Sequence, residues 1–416
     1  MRRWYGLTLL SLTLALWTTI AGGRECEIVI SIPQGPAAEI GLPVGIPLDV
    51  NEIPDVQRHG NSFALREITD GTSPAPIPVQ FERTTPDSPR GTAWFFLADA
   101  AKKERRLRPG PGQAEQEVWR VEKDEANEAV ELWERGQRVL RYNHGSVPVR
   151  EGTHPHFAAG ESYERGDYIH PLYGPNGEEL TEDYPRDHPH HRGVWWSWPV
   201  TRWKDQLADI WAVAGVWSRP ERITRVEVGP VFALLEAEST WKFGKNETPI
   251  VSENVLIRAF HQNKSHRVID IEVRLTALTD GVSIGGRPKA GYGGFALRAA
   301  PCAGRQIASF MDTEEKSPRR AWLDYSGQFP GGQGISGVAI FEHVTNPDYP
   351  NPLHEYPQCN CVMPAYPDQR EIVLSRDQPL VLKHRLWIHP GVPSEETLTR
   401  VWASYAHPPH VVIVRD

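Results

Sequence analysis

Alternation of apolar and polar residues is the feature that most restricts how this chain can fold. In the segment 267–275, RVIDIEVRL, apolar side chains stand at nearly every second position, as in a strand with one face in a core and one in water. Segments 251–260 and 380–388 behave similarly. No 3.6-residue apolar period is sustained over a helical length, and the segment 204–213 is the one candidate for a short helix. The pattern therefore predicts an all-β fold.

Turn-forming and aromatic residues support a protein of strands and loops. The chain of 416 residues contains 37 Pro, 35 Gly and 15 Trp, a composition that suits strands and turns better than a helical bundle. Short β-like runs occur at 28–32, 78–81 and 94–97, and residues 131–142 predict two strands around a turn at Gly136.

The composition along the chain predicts that the residues after a predicted N-terminal signal peptide divide into three parts. Residues 24–101 form a small β-rich N-terminal unit, and residues 118–416 form a large antiparallel β-sandwich. Between them, residues 102–117 are charged and rich in Pro and Gly, which predicts a solvated linker.

The first 21 residues predict a secretory signal peptide. Arg2 and Arg3 precede an apolar stretch at 7–20, and small residues follow from Ala21 onward. The alternative is an uncleaved membrane anchor, although the apolar run is shorter than the roughly 20 residues of a span. No later stretch is long and apolar enough to cross a bilayer. We therefore expect an exported protein, periplasmic or extracellular, without a transmembrane segment in the mature chain.

The charge balance narrows the class of partner. Lys and Arg number 45 against 53 Asp and Glu, for a formal charge of −8. A nucleic-acid binder needs a basic face, so this balance disfavours nucleic acid and leaves neutral or cationic small molecules and other proteins as partners. With the site residues described below, we expect a small-molecule or oligosaccharide ligand. The oligomeric state stays open.

Four cysteines follow the leader, and export would allow them to form disulfides. Cys359 and Cys361 are too close in sequence to bridge each other easily, so Cys26 or Cys302 is the better partner for either one. We expect a disulfide or free thiols rather than a metal site, which would need more soft ligands than the sequence shows.

The segment 187–193, DHPHHRG, is the strongest candidate for a functional site. Seven of the 16 histidines lie between residues 144 and 191, and the densest group is here. Pro189 excludes a helix interior, so His188 and His190 are expected on extended backbone, on one side, with His191 on the other. Imidazoles transfer protons near neutral pH, and Arg192 could hold an anionic group. We therefore name His188, His190, His191 and Arg192 as candidate catalytic residues.

Aromatic and polar residues nearby are candidates for substrate binding. Trp195 and Trp196 follow the histidines directly, and a flat ring can stack on the apolar face of a sugar. The other reading is core packing, and we expect about half of the Trp residues of this region to serve it. The further candidates for substrate binding are Asp187, which could orient a histidine, and His170, Tyr173 and Tyr292.

Two carboxylates could complete an acid–base pair with a histidine. Asp324 and Glu342 each lie close to aromatic residues, and we name them as candidate catalytic residues. The Gly-rich segment 285–294 does not follow a strand–loop–helix pattern, so a phosphate-binding loop is not expected. We assign no metal ligand and no cofactor.

These motifs resemble the "methane oxygenase PmoA-like" family of exported bacterial proteins, a domain of unknown function. The similar stretches cover most of the chain from residue 118 onward and are 168–175, 187–195, 291–295, 322–327, 338–343 and 346–347. The resemblance implies a β-sandwich of the galactose-mutarotase-like kind and thereby a carbohydrate ligand. It implies no catalytic residues, and a fold does not determine a function.

Three functional hypotheses follow. The first is an exported carbohydrate-active enzyme, such as a sugar epimerase, glycoside hydrolase or lyase, with a histidine as general acid or base. The second is a non-catalytic carbohydrate-binding module that uses the same His, Arg and Trp side chains. The third is a metal-dependent oxidoreductase with His188, His190 and another histidine as ligands.

Overall fold

The computed structural model describes residues 26–31, 41–52, 63–68, 75–85, 87–97, 104–112, 118–148, 163–314, 319–408 and 410–415. The predicted signal peptide, residues 1–21, lies outside these ranges, as do His154 and His156. The described residues form an all-β protein with antiparallel strand pairing, which confirms the predicted fold class.

The first sheet combines the N-terminal strands with the last strand of the chain. Its members are β1 (Cys26–Ser31), β2 (Pro43–Asp49), β3 (Phe63–Glu67), β4 (Ile77–Arg83), β5 (Arg90–Phe96), β6 (Glu104–Pro111) and β27 (His410–Arg415). They are ordered β2-β5-β4-β3-β6-β1-β27. The predicted N-terminal unit is therefore completed by a strand from the other end of the sequence.

Strand β6 occupies residues that the sequence assigned to a linker. It pairs with both β1 and β3. Its Leu107 is fully buried, and Arg105 is only 3% exposed. The charge run of 102–117 misled the prediction because two neighbouring strands supply backbone partners that no local pattern shows.

Two eight-stranded sheets form the larger part of the molecule. The first contains β7 (Trp119–Asp124), β8 (Ala129–Glu134), β9 (Gln137–Asn143), β10 (Tyr168–Leu172), β11 (Val194–Ser197), β19 (Gly294–Arg298), β23 (Leu353–Tyr356) and β24 (Cys361–Pro364). Their order is β23-β24-β19-β11-β10-β9-β8-β7. The predicted hairpin of 131–142 is confirmed as β8 and β9, with Gly136 at φ +79° in the turn.

The second eight-stranded sheet contains the strongest alternations of the sequence. Its strands are β14 (Val216–Val228), β15 (Phe232–Phe243), β16 (Thr248–Phe260), β17 (Arg267–Ala277), β20 (Ala303–Met311), β21 (Ala321–Gln328), β22 (Ser336–Glu342) and β26 (Leu380–Pro390). They are ordered β14-β15-β16-β17-β26-β22-β21-β20. A four-stranded sheet, ordered β13-β12-β18-β25, joins β12 (Val200–Trp203), β13 (Gln206–Ala208), β18 (Val282–Gly285) and β25 (Glu371–Val373).

The main hydrophobic core lies between the two large sheets. It takes side chains from both, such as Leu132 and Trp196 from the first and Ile257 and Leu386 from the second. This packing of one sheet on another is that of a β-sandwich.

The short helix expected at 204–213 is wrong. Strands β12 and β13 form a hairpin there, in which Trp203 pairs with Gln206. Lys204 in the connecting turn has φ +54°, a left-handed conformation that a helix excludes. Tertiary pairing of β12 with β18 overrides the local helical preference.

The one α-helix among the described residues is α1 (Glu395–Ala406), which the sequence analysis missed. The Ser394 side chain caps its N-terminus by accepting a hydrogen bond from Thr397 N at 3.2 Å. Val401 and Trp402 of α1 pack on the outer face of the second large sheet. Strand β17 was expected to have one wet face, yet Val268 on that face is covered in the same cluster.

Two short 3-10 helices are Val50–Glu52 and Pro357–Cys359, and no described helix reaches the length and apolarity of a membrane span.

Candidate functional site

A turn gathers the three histidines of the 187–193 motif. His191 N donates to His188 O at 2.9 Å, which closes a turn with Pro189 at its second position. Proline is favoured there because its ring already holds the required φ. The ring centroids lie 4.7 Å apart for His188 and His191, and 4.8 Å apart for His190 and His191.

This turn corrects the expected extended backbone. His191 was expected to point away from His188, but their rings are stacked with an interplanar angle of 14°. A reversal of the chain at Pro189 and His190 cancels the side-to-side alternation on which the expectation relied. The motif thus presents all three imidazoles in one place.

The three imidazoles line a cavity of about 290 Å³ beside the first large sheet. The other lining residues come from the segment after β13, the loop between β18 and β19, and the segment from β23 to β24. They are Trp211, Ala212, Arg287, Tyr292, Tyr356, Gln358, Cys359, Cys361 and Met363. The cavity is therefore built from four separate parts of the chain.

Strand β11 supports the cavity with one of its two faces. Trp195 packs against His191, at 5.1 Å between centroids, and against Trp211, at 5.0 Å. Trp196 points the opposite way into the main core, where its Nε1 donates to Glu253 Oε1 at 2.5 Å. Of the two tryptophans predicted to bind substrate, Trp195 lies beneath the cavity, and Trp196 lies on the other side of the sheet.

Aromatic rings continue from that support along the cavity. Trp211 lies 5.4 Å from Tyr292, and Tyr292 lies 6.3 Å from Tyr356, between ring centroids. The Tyr292 hydroxyl accepts a hydrogen bond from Arg287 Nε at 2.9 Å. Tyr292, a predicted binding residue, is thus part of a wall with π faces and polar edges.

A buried guanidinium orients the histidine turn. Arg298 of β19 is 3% exposed and donates to both carboxylate oxygens of Asp187, at 2.7 and 3.1 Å. Asp187 Oδ2 also accepts a hydrogen bond from His188 Nδ1 at 2.9 Å. Burial alone would raise the pKa of Asp187, but these hydrogen bonds lower it well below its usual range. Asp187 therefore remains ionised and orients His188, as the sequence predicted for a neighbouring ring.

The environment keeps two of the imidazoles neutral. Burial, with smaller contributions from Arg165 and His188, lowers the pKa of His190 to about 3. Burial likewise lowers the pKa of His191 well below its usual range, and the neighbouring histidines add to the effect. Both rings are thus neutral near pH 7 and can each donate one hydrogen bond and accept one.

Two thiols lie at the edge of this cluster. Cys359 is 5% exposed, and its Sγ donates to the Tyr356 carbonyl at 3.5 Å. A hydrogen bond with Cys361 lowers the pKa of Cys359 to about 7, against the effect of burial. Burial raises the pKa of Cys361 well above its usual value. Cys302, Cys359 and Cys361 are all free thiols, so the structure contains no disulfide among these three.

The donor atoms of His188, His191 and Cys359 lie within 4.8 Å of one another. This set of two imidazole nitrogens and a thiol is the one group of such ligands that the described residues bring together. Cys359 and Cys361 alone show too few ligands in the sequence for a metal site. The two imidazoles of this set come from the 188–191 turn.

The position of Arg192 contradicts its expected role in holding a substrate anion. The side chain is fully buried and is not among the cavity-lining residues. It pairs with Asp183 at 3.0 Å and donates to the carbonyls of Val147 and Tyr163 at 3.2 and 2.7 Å. Arg192 therefore holds together the chain segments beside the motif.

The two predicted carboxylates are satisfied elsewhere. Asp324 accepts hydrogen bonds from Ser326 Oγ at 2.7 Å and from His389 Nε2 at 2.8 Å. Glu342 accepts hydrogen bonds from both nitrogens of Asn351 at 3.0 Å, and burial raises its pKa. Both belong to the second large sheet, and neither lines the cavity.

The last two predicted residues lie on β10 and just after it. His170 Nδ1 is hydrogen bonded with Thr181 Oγ1 at 3.0 Å and does not line the cavity. Tyr173 lines a different, open groove of about 540 Å³ together with Arg138 and Glu178. The structure therefore brings His188, His190, His191 and Tyr292 into one cavity, with Asp187 and Trp195 directly behind them.

Sequence reasoning missed several residues of the cavity. Trp211 and Arg287 lie in segments that were considered but were not selected, and Cys359 was considered for a disulfide, a free thiol or a metal site but not for this cavity. Arg298 carried no local signal, because its importance comes from its pairing with Asp187, 111 residues away. The Cys-x-Cys spacing of residues 359 and 361 was the one local feature of the sequence that could have indicated the thiols of the cavity.

Comparisons with known proteins give a family but no activity. A model for a family of unknown function (DUF6807) matches residues 129–403, which include the histidine turn and every residue that lines the cavity. A search of curated proteins finds no match to the chain. Since the matched range spans well over half of the sequence, this protein belongs to the DUF6807 family of unknown function.

Proposed function

We propose that the cavity beside the 188–191 turn binds a sugar or glycoside, and that the protein is an exported carbohydrate-active protein. The observation that carries the proposal is the wall formed by Trp211, Tyr292 and Tyr356 next to the polar groups of His190 and Arg287. A pyranose ring has an apolar face for stacking and hydroxyls at its edge, so it fits such a lining.

The size and charge of the cavity support a small, neutral or anionic ligand. A volume of about 290 Å³ lies at the lower end of the range for ligand pockets. Apart from the titratable imidazoles and thiols, the charged side chain among the lining residues is Arg287. Arg287 also pairs with Asp209 at 3.0 Å. This favours a single sugar ring or the end of a longer glycan over an extended polysaccharide.

The chemistry of the lining favours binding over acid–base catalysis by His190 and His191. A general acid or base works best with a pKa near the operating pH, whereas the pKa of His190 is about 3. Among the residues that the structure describes, no carboxylate lines the cavity, so these residues do not provide the pair of carboxylates that most glycoside hydrolases use. Neutral imidazoles are well suited to hydrogen bonds with hydroxyl groups.

The resemblance to PmoA-like proteins and to galactose-mutarotase-like sandwiches agrees with this proposal. The sandwich of two large sheets is compatible with that architecture. The signal peptide predicted at residues 1–21 would direct the protein to a periplasmic or extracellular location, where glycans are available as ligands.

A binding screen tests the proposal. The chain without its predicted signal peptide is titrated by calorimetry with mono- and oligosaccharides, including oxidised sugars, and reaction products are sought by mass spectrometry. We expect saturable binding that Tyr292→Ala weakens at least about tenfold, because it removes a stacking surface. Tyr173→Ala, in the separate groove, is the matched control and should leave binding unchanged.

The same screen separates a binding module from an enzyme. If His190→Ala retains binding but abolishes a product that the wild type forms, the cavity is catalytic. Absence of binding by every sugar, or binding that depends on Tyr173 and not on Tyr292, would refute the proposal.

A further inference from the structure

We propose that His188, His191 and Cys359 form a binding site for a zinc-class transition metal ion at the edge of the cavity. This inference goes beyond the proposed function and does not depend on a sugar being the ligand. Its basis is geometric, because one turn and one 3-10 helix bring two imidazoles and a thiol together within 4.8 Å.

The donor set selects the class of ion. Two imidazole nitrogens with one thiolate suit zinc and related transition metals, whereas Ca²⁺ and Mg²⁺ take oxygen ligands. A set of three protein ligands leaves a fourth tetrahedral position for water or substrate, as in catalytic zinc sites. Since all three residues line the cavity, that fourth position would face a bound ligand.

The surroundings of His188 match those of a metal-bound histidine. Its Nδ1 donates to Asp187 Oδ2 at 2.9 Å, which leaves Nε2 with a free lone pair. Ligating histidines almost always donate their other ring nitrogen to a carboxylate, carbonyl or water. Asp187 is itself held by both guanidinium nitrogens of buried Arg298, so the orientation is supported from behind.

Only small side-chain movements would close the site. Zinc with bonds of about 2.0–2.1 Å to nitrogen and 2.3 Å to sulfur places two nitrogens and one sulfur roughly 3.3–3.6 Å apart. The His188 side chain is 42% exposed and has room to rotate. Cys359 ends the 3-10 helix, just before Asn360 in a left-handed conformation at φ +49°, which fixes the backbone next to the thiol.

The local charge balance permits a cation. Arg298 lies 3.5 Å from His191 Nδ1, but its charge is balanced by Asp187 and Glu182 at 2.7 and 2.9 Å. Arg287, which also lines the cavity, pairs with Asp209. A thiolate at Cys359 would then contribute net negative charge at the site.

Cobalt titration of the reduced, chelator-treated full chain tests this inference. Co²⁺ bound to a thiolate in a tetrahedral site gives a sulfur-to-metal absorption band, and Zn²⁺ should displace the ion and abolish it. We expect one equivalent of Co²⁺ per chain. Asp187→Asn should weaken binding about 10- to 100-fold, since it removes the carboxylate that orients His188.

Matched variants identify the ligands. Cys359→Ser should abolish the band, and His188→Gln should weaken binding at least 100-fold, whereas Cys302→Ser, outside the cavity lining, should leave both unchanged. Circular dichroism checks that each variant folds. Because the His188 side chain is partly exposed, its substitution should disturb folding least among the ligand variants. Failure of the folded wild type to bind Co²⁺ or Zn²⁺, or a band that survives Cys359→Ser, overturns the metal site.

The metal test and the sugar test fail independently. Tyr292→Ala removes a stacking surface but no metal ligand, so it should retain the cobalt band. Loss of sugar binding in this variant with an intact band would support both proposals, while sugar binding by a protein that takes no metal would leave the sugar proposal standing alone.

Discussion

Buried arginines in this molecule act mainly on its own backbone and carboxylates. Arg192 binds the carbonyls of Val147 and Tyr163, and Arg165 donates to the carbonyl of His190 at 3.2 Å. Arg298 holds Asp187. A planar guanidinium with five donors can join several chain segments at once, which explains why an arginine inside a histidine motif need not touch a ligand.

A buried histidine outside the cavity should make stability depend on pH. His384 stacks on Phe295 at 4.1 Å, and burial lowers its pKa to about 3. In the unfolded chain the pKa is about 6.5, so the unfolded state binds the proton first and stability falls as pH drops from about 6.5 toward 3. Within this range, the contribution of His384 to the free energy of unfolding should change by about 1.4 kcal/mol per pH unit.

Urea unfolding at a series of pH values checks this prediction. His384→Gln should flatten the acid side of the profile, because it removes the titrating ring. His407→Gln, at an exposed position, is the control and should follow the wild type. Parallel profiles for wild type and His384→Gln would show that this ring does not set the acid limit.

At the scale of elements, the passage from the histidine turn into β11 depends on Gly193. Its φ is +46°, and a Cβ atom there would lie 2.1 Å from the Ile169 carbonyl oxygen of the adjacent strand. A side chain at this point is therefore excluded both by the backbone conformation and by the neighbouring strand. This close approach of Gly193 to Ile169 fixes the position of the histidine turn relative to β10.

Gly193→Ala should lower the free energy of unfolding by well over the about 1–2 kcal/mol of a left-handed alanine. The additional loss reflects the clash with backbone, which has no side chain to move aside. Gly177→Ala is a matched control, because Gly177 has φ +87° but nothing within 4 Å of the added Cβ. Chemical denaturation of both variants gives the comparison, and equal losses would contradict the close contact.

Helix α1 shows which element signals were readable and which were not. Ser394 precedes Glu395 and Glu396, and Leu398, Val401 and Trp402 follow at helical spacing, so a capped helix could have been predicted. Residues 204–213 offered a similar apolar spacing but form a hairpin. The difference is tertiary, because β12 has a strand partner in β18.

At the scale of the whole molecule, the N-terminal sheet is joined to the sandwich by specific polar contacts. Gln80 of β4 is 7% exposed, and its Oε1 accepts hydrogen bonds from Val231 N at 3.1 Å and Phe232 N at 2.9 Å. Close by, Glu82 pairs with Arg258, a residue of β16, at 2.5 Å. These contacts couple two sheets that are separate in the sequence.

Gln80→Met should cost about 2 kcal/mol or more, because it keeps the volume but leaves two buried N–H groups without an acceptor. Equilibrium unfolding measures the loss, and hydrogen exchange should show faster exchange at Val231 and Phe232. Gln137→Met, at an exposed position, should have little effect. Unchanged exchange at both amides would mean that Gln80 does not join the sheets.

The all-β class, several strands, the hairpin at 131–142 and the choice of the 187–193 motif as the candidate site could be predicted from the sequence. These follow from local causes: alternation, turn residues and residue chemistry, all of which act over a few neighbours. His188, His190, His191 and Tyr292 were identified in this way, and they line the cavity.

The tertiary structure accounts for the burial of Arg192 and for the separation of Asp324 and Glu342 from the cavity. It also placed β27 beside β1 and Cys359 beside the histidines. Each of these depends on contacts between residues far apart in sequence, and their free energy is set by packing and pairing that no local pattern encodes.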